Sequence, residues 1–203
     1  MSRGSMTSAQ ELSPLKAARR DKILEVAEIV FVENGFRGTT MEQIAKAVGM
    51  SKVTVYGYFK DKDAVFDAVS DRVATRLEAA VEEALQAGGT AEERISSALV
   101  AKHGIIFDLV GDSPFAKELI STKSRSIEDR FTALDRAITA RLADVLASEG
   151  RPGEEARRLA HLVFSASLGI ANASASKDEM RRDVSRLVQA MCQHVATGEA
   201  DSG

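Results

Sequence analysis

From Pro14 to the last few residues, apolar side chains recur three and four positions apart, a spacing that commits the chain to helices. Ile23, Val26, Ala27, Val30 and Phe31 line one face of a first helix. Pro14 opens it, where a missing N–H costs nothing. Asn34-Gly35 is expected to stop it, with Gly35 in the left-handed C-cap conformation. No segment alternates with a period of two, so no strand is expected. The remaining breakers are Gly49, Gly88-Gly89, the turn Gly111-Asp112-Ser113-Pro114 and the turn Gly150-Arg151-Pro152-Gly153. Between them the periodicity predicts helices at about 40–48, 52–59, 61–87, 90–108, 114–123, 126–149, 154–174 and 178–197. The fold class expected is therefore all-α, with about nine helices.

Composition narrows the chemistry. A single cysteine, Cys192, excludes a disulfide framework and any Cys-based zinc cluster, and no metal or cofactor is expected. Cys192 itself lies in an apolar stripe and reads as a small hydrophobe. The chain has no glycine-rich phosphate loop, no His-Glu-x-x-His pair and no nucleophile elbow, so no enzyme is expected. Acidic pairs such as Glu82/Glu83 and Glu92/Glu93 read as solvated helix faces. No apolar run approaches the roughly 18 residues that span a bilayer. Residues 1–13 lack the apolar stretch of a secretion signal, and both they and residues 198–203 are expected to be disordered tails of a cytoplasmic protein.

The charge is unevenly spread. The whole chain carries a net charge of −3, but residues 14–62 hold nine Lys and Arg against six Asp and Glu. A basic N-terminal quarter on an acidic body suits a segment that meets an anion.

The informative stretch is Thr39 to Lys62, TTMEQIAKAVGMSKVTVYGYFKDK. Thr40-Met41-Glu42-Gln43 is a capping box for a short helix, with Thr39/Glu42 as an alternative one residue earlier. Gly49-Met50-Ser51 makes the turn, and Ser51 caps the next short helix. Such a helix-turn-helix needs a small residue at the crossing, a glycine at the turn and apolar anchors. Ala45, Gly49, and Ile44, Met50, Val55 and Phe59 meet those needs. Lys52, Val53, Thr54, Tyr56 and Tyr58 are left facing outward. The two tyrosines are the only ones in the chain, and a tyrosine beside a lysine suits a phosphate or a thymine methyl. Lys62 falls in the first turn of the fourth helix, where a cation opposes the helix dipole. Either an external phosphate or its neighbours Asp61 and Asp63 would balance it.

The run ILEVAEIVFVENGFRGTTMEQIAKAVGMSKVTVYGYFKDKDAVFDAV resembles the DNA-binding domain of TetR-family (tetracycline-repressor-like) transcriptional regulators. The resemblance implies an N-terminal three-helix helix-turn-helix DNA-binding domain over residues 14–62. A helical effector-binding and dimerisation domain would follow over residues 63–197. It implies base contacts from Lys52, Val53, Thr54 and Tyr56, and phosphate contacts from Thr40, Tyr58 and Lys62, with Thr39 a weaker candidate. Gly57 departs from the larger residue many members carry there, and either ends the recognition helix early or admits a phosphate. The basic group Lys16, Arg19 and Arg20 is either an arm for a minor groove or a solvated face.

For the acidic body, the resemblance implies a homodimer on palindromic operator DNA, joined through the last two helices. Leu159, Val163, Ile170, Val184, Leu187, Val188, Met191 and Val195 carry the stripes expected at that interface. It also implies a small-molecule pocket, for which Leu99, His103, Phe107, Phe115, Leu119, Phe131, Leu134, Ile138, Phe164 and Leu168 are candidates. A mostly apolar lining favours a hydrophobic effector. The function expected is a ligand-released transcriptional repressor. The alternatives are an activator of the same fold and a helical interaction protein.

Overall fold

The computed structural model describes residues 13–111 and 125–197. The expected tails and the expected helix at 114–123 lie outside these residues, as do the pocket candidates Phe115 and Leu119. Eight helices and no strand occupy the described residues: α1 Pro14–Gly38, α2 Met41–Val48, α3 Lys52–Tyr56, α4 Lys62–Gln86, α5 Ala91–Val110, α6 Arg125–Ser148, α7 Gly153–Ala173 and α8 Lys177–Thr197. The chain is all-α, as its periodicity predicts.

The first helix differs from expectation at its end. Gly35 does not terminate α1; it kinks it, with φ 70° and ψ 169°, and helical residues resume to Gly38. Glycine alone takes that backbone conformation without strain. The freed carbonyls are satisfied locally. Asn34 Nδ2 donates to the Val30 carbonyl at 2.9 Å, and Thr39 Oγ1 donates to the Gly35 carbonyl at 2.7 Å.

Two hydrophobic cores form. The first joins α1 through Ile23, Leu24, Ala27, Val30 and Phe31 to α2 through Met41, Ile44 and Ala45. Val55 and Phe59 close it from the α3 side, and Val65, Phe66 and Val69 of α4 complete it. Phe31, Phe36 and Phe66 form an aromatic knot, with Phe66 4.8 Å from Phe36 and 5.0 Å edge-on from Phe31. Each large side chain fully buried in this core, Phe31 and Ile44 among them, contributes roughly 1.5–3 kcal/mol, which is what lets helices of five and eight residues persist.

The second core is built from the rest of α4 (Val73, Ala74, Leu77, Val81 and Leu85) with α5, α6, α7 and α8. The helix α4 therefore runs through both cores. A second link comes from α6, whose Ile127 is buried in the first core and whose Phe131 packs against both. Ion pairs cross the same junction: Arg130 with Asp71 at 2.8 Å and Arg76 with Glu28 at 2.9 Å. No helix among the described residues is long and apolar enough to cross a membrane.

Candidate nucleic-acid interface

The two short helices are fixed at each end by their own residues. At the start of α2, Thr40 Oγ1 accepts from the Gln43 N–H at 3.2 Å, and the Gln43 side chain accepts from the Thr40 N–H at 2.7 Å. The box is thus the Thr40/Gln43 pair rather than the Thr39/Glu42 alternative. At its end, Gly49 takes φ 72° and ψ 30°. The Met50 N–H reaches the Ala45 carbonyl at 3.0 Å and the Gly49 N–H the Lys46 carbonyl at 3.2 Å, the paired bonds of a Schellman stop. Ser51 then caps α3, its Oγ accepting from the Thr54 N–H at 3.0 Å.

Helix α3 is shorter than expected. It ends at Tyr56 with Gly57 as its C-cap, where the periodicity predicted about Phe59. A Cβ added at Gly57 would sit 3.2 Å from the Thr54 carbonyl oxygen, so a larger residue there crowds the turn. Tyr58 and Phe59 still bond back to the Val55 carbonyl, both at 3.0 Å, and Phe59 enters the core.

The outward face can now be read residue by residue. Val53 is 82% exposed, an apolar side chain held out in water, and Tyr56 is 42% exposed. Lys52 is exposed and ion-paired with Glu42 across the turn, and its ammonium lies 5.7 Å from the Tyr56 ring centroid. The hydrogen bond from Lys52 holds the Glu42 carboxyl below the usual range, and the same bond holds the Lys52 ammonium above its own. Thr54 is half-buried, its hydroxyl 2.7 Å from that of Ser51. Thr40 is exposed at the mouth of α2. Tyr58 is half-buried against the first core.

Two expected contacts are engaged inside the protein instead. Thr39 is 1% exposed, and its hydroxyl is used by the Gly35 carbonyl. Lys62 is half-buried; its Nζ donates to the Phe36 carbonyl at 2.7 Å and lies 4.4 Å from the Phe36 ring centroid. The cation that seemed misplaced at the start of α4 caps the end of α1. Neither an external phosphate nor Asp61 or Asp63 was needed to account for it, and Asp61 caps α4 through the Ala64 N–H at 2.7 Å. Sequence spacing cannot reveal a bond between residues 26 positions apart. Of the basic group before it, Lys16 and Arg19 are exposed on the first turns of α1, and Arg20 stacks over Phe59 at 5.1 Å.

This geometry is matched by known proteins. The family model described as bacterial regulatory proteins, tetR family, fits residues 23–69. Over those residues the chain is similar to the TetR family. The chain is 31% identical over 83 residues to YhgD, an uncharacterised helix-turn-helix regulator of Bacillus subtilis, covering 41% of this chain and 44% of that one. It is 41% identical over 54 residues to the helix-turn-helix repressor Rv1474c of Mycobacterium tuberculosis, covering 27% and 29%. The chain thus spans less than half the length of these curated relatives. The fold is shared more widely. A TetR-like regulator from Rhodococcus sp. RHA1 superposes with a TM-score of 0.65 at 21% identity, covering 92% of this chain and all of the other. A TetR-family regulator from Streptomyces coelicolor gives 0.69 at 15% identity, covering 92% and 98%.

The expected pocket residues separate into three groups. Leu99, His103, Leu134, Ile138 and Phe164 are buried in the second core. Phe107 and Phe131 are half-buried against it. Leu168 is 38% exposed. An open groove of about 540 Å³ lies elsewhere, between α4, α5 and α8, and includes Ser97, Gly104, Lys177 and Arg181. None of the expected pocket residues lines that groove.

The expected dimer stripe is also divided. Leu159, Val163, Val184 and Val188 turn inward and are buried in the protomer's own core. Stripes at helical spacing mark a buried face without saying what buries it. Ile170, Leu187 and Met191 are half-buried, and the side chain of Val195 lies outside the described residues. The apolar residues that do face out on α7 are Leu162, 49% exposed, and Leu168. His161 is exposed on the same helix, and Cys192 is buried, which pushes its thiol up.

Proposed function

We propose that this protein is a sequence-specific transcriptional regulator, a repressor that binds its operator as a homodimer and leaves it when a small effector binds. The observation that carries the reading is the outward face of α3. Lys52, Val53 and Tyr56 project from a short helix whose ends are locked by Gly49, Ser51 and Gly57. A valine 82% exposed on this short helix fits the methyl edge of a thymine.

In this reading α3 enters the major groove. Lys52, Val53 and Tyr56 meet base edges, and Thr54 steadies the start of the helix while presenting its methyl. Thr40 at the N-terminus of α2 and the hydroxyl of Tyr58 meet phosphates. Thr39 and Lys62 act as positioning residues. Residues 14–62 form the DNA-binding domain and residues 63–197 the effector and dimer domain, with α4 as the connection. Leu162 and Leu168, with Ile170, Leu187 and Met191 at their margins, supply the apolar surface for a partner's α7 and α8. A dimer sets two α3 helices about 34–36 Å apart, one turn of DNA. The protein works in the cytoplasm, without metal or cofactor.

The test is anisotropy of labelled duplex DNA across a salt series. Tight, competable binding that Lys52→Ala and Tyr56→Ala each weaken, with dimerisation retained, supports the reading. Unchanged DNA affinity in both variants would leave a helical interaction protein. Activation of a reporter on binding would make it an activator.

A further inference from the structure

The second core contains a charge that its architecture does not require. Lys102 on α5 is 5% exposed, and among the described residues it is the one lysine or arginine that is buried. Its ammonium is 3.2 Å from Asp135 on α6 and 4.9 Å from the Phe164 ring centroid on α7. Beside it, His103 Nε2 is 3.0 Å from Ser167 Oγ. The Ser167 hydroxyl donates to the Phe164 carbonyl at 2.8 Å, so the serine accepts and His103 Nε2 donates. His103 is uncharged, because burial first and the neighbouring Lys102 second lower its pKa to about 3. Lys102 is therefore the cation of a polar cluster that three helices bring together inside an apolar shell of Leu99, Leu134 and Phe164.

A buried ion pair of this kind rarely adds stability; an apolar side chain of similar volume is often as good or better. The two partners are unequally placed: the Lys102 side chain is 7% exposed, the Asp135 side chain 36%. Asp135 can turn into water and be hydrated there, while Lys102 cannot. An incoming carboxylate that takes its place leaves the ammonium paired throughout, so the largest desolvation cost is never incurred. A cation entering beside Asp135 would meet Lys102 at short range in a poorly screened site. Resting on the regulator reading above, we propose that the effector is an apolar carboxylate, held by Lys102 in exchange for Asp135, with its hydrocarbon part against the neighbouring core side chains.

The test is calorimetric titration of the full chain with decanoate and 4-phenylbutyrate, against decanol and decyltrimethylammonium as neutral and cationic matches. Either carboxylate should bind saturably, and decanol at least about tenfold more weakly, as when a buried charge-assisted hydrogen bond is removed. Lys102→Met should bring carboxylate binding down to the level of decanol. Asp135→Asn should tighten it, because the competitor for Lys102 is gone; a purely structural ion pair predicts that both substitutions weaken binding. Should Lys102→Met fail to fold, Asp135→Asn decides alone, with tightening in favour and unchanged or weaker binding against. Preference for the cationic match, or no binding of either carboxylate, overturns the proposal. DNA binding is read separately. Carboxylate binding by a chain that never binds DNA would overturn the regulator reading and leave the site standing.

Discussion

The Lys62 ammonium donates to the Phe36 carbonyl at 2.7 Å while resting over the Phe36 ring, and so ties the start of α4 to the end of α1. This bond crosses from the helix that runs through both cores to the helix that supports α2 and α3. It turns an unfavourable placement, a cation at a helix N-terminus, into a cap for the opposite end of another helix. Lys62→Met should lower unfolding free energy by about 2–4 kcal/mol, the sum expected of one charge-assisted hydrogen bond and a partly exposed cation–π contact. Urea unfolding checks it. A loss of DNA affinity with stability unchanged would return Lys62 to the phosphate backbone.

Lys52 is ion-paired with Glu42, and in the proposed reading the Glu42 carboxylate competes with DNA for it. Glu42→Gln removes that competitor and one negative charge at the interface. DNA binding should tighten, and the slope of log affinity against log salt should steepen by about one unit. Lys52→Ala should flatten the slope by a similar amount. Equal slopes in all three proteins would mean that Lys52 meets no phosphate or base.

Thr39 and Thr40 are adjacent, the first buried and the second exposed, and the proposal gives them different duties. Thr39→Val keeps the shape but leaves the Gly35 carbonyl without its hydroxyl donor, at a cost of about 1–3 kcal/mol. Thr40→Ala removes an exposed N-cap at about 0.5–2 kcal/mol and should also weaken DNA binding. Thermal unfolding and anisotropy on the two variants separate the roles.

His103 makes folding sensitive to acid. Its pKa is about 3 in the folded chain against 6.5 when free, so between those values the unfolded chain binds more protons. The stability His103 supports is complete above pH 6.5 and is lost as pH falls towards 3, by up to about 1.4 kcal/mol per pH unit. His103→Gln should remove that part of the slope in denaturant titrations run from pH 7 to pH 4. An unchanged slope would place the acid sensitivity on other groups.

The parts of this molecule legible in its sequence are those fixed by neighbours along the chain. The Thr40/Gln43 box, the Gly49 turn and the Ser51 cap are all set within a few residues, and each is found where its spacing predicts. The kink at Gly35 was harder, because a glycine followed by more helix formers reads the same as one that ends a helix. Contacts between distant residues were not legible at all. Lys62 on Phe36, Arg20 on Phe59 and Lys102 with Asp135 depend on how helices cross. Lys102 in particular was hidden by its type, since a lysine among helix formers reads as solvated surface. The α8 stripe shows the converse: Val184 and Val188 signal burial, and only packing reveals that their own chain covers them.

The central claim is that the outward face of α3 reads DNA sequence. The most direct measurement is selection of tight binders from a random-sequence duplex library, run in parallel with the native chain and with Lys52→Ala/Tyr56→Ala. The account predicts that the native chain enriches a two-fold symmetric site with half-sites about one helical turn apart, and that the double variant, folded and dimeric, enriches none. Failure of the native chain to enrich any sequence, or enrichment of the same site by the double variant, would contradict it.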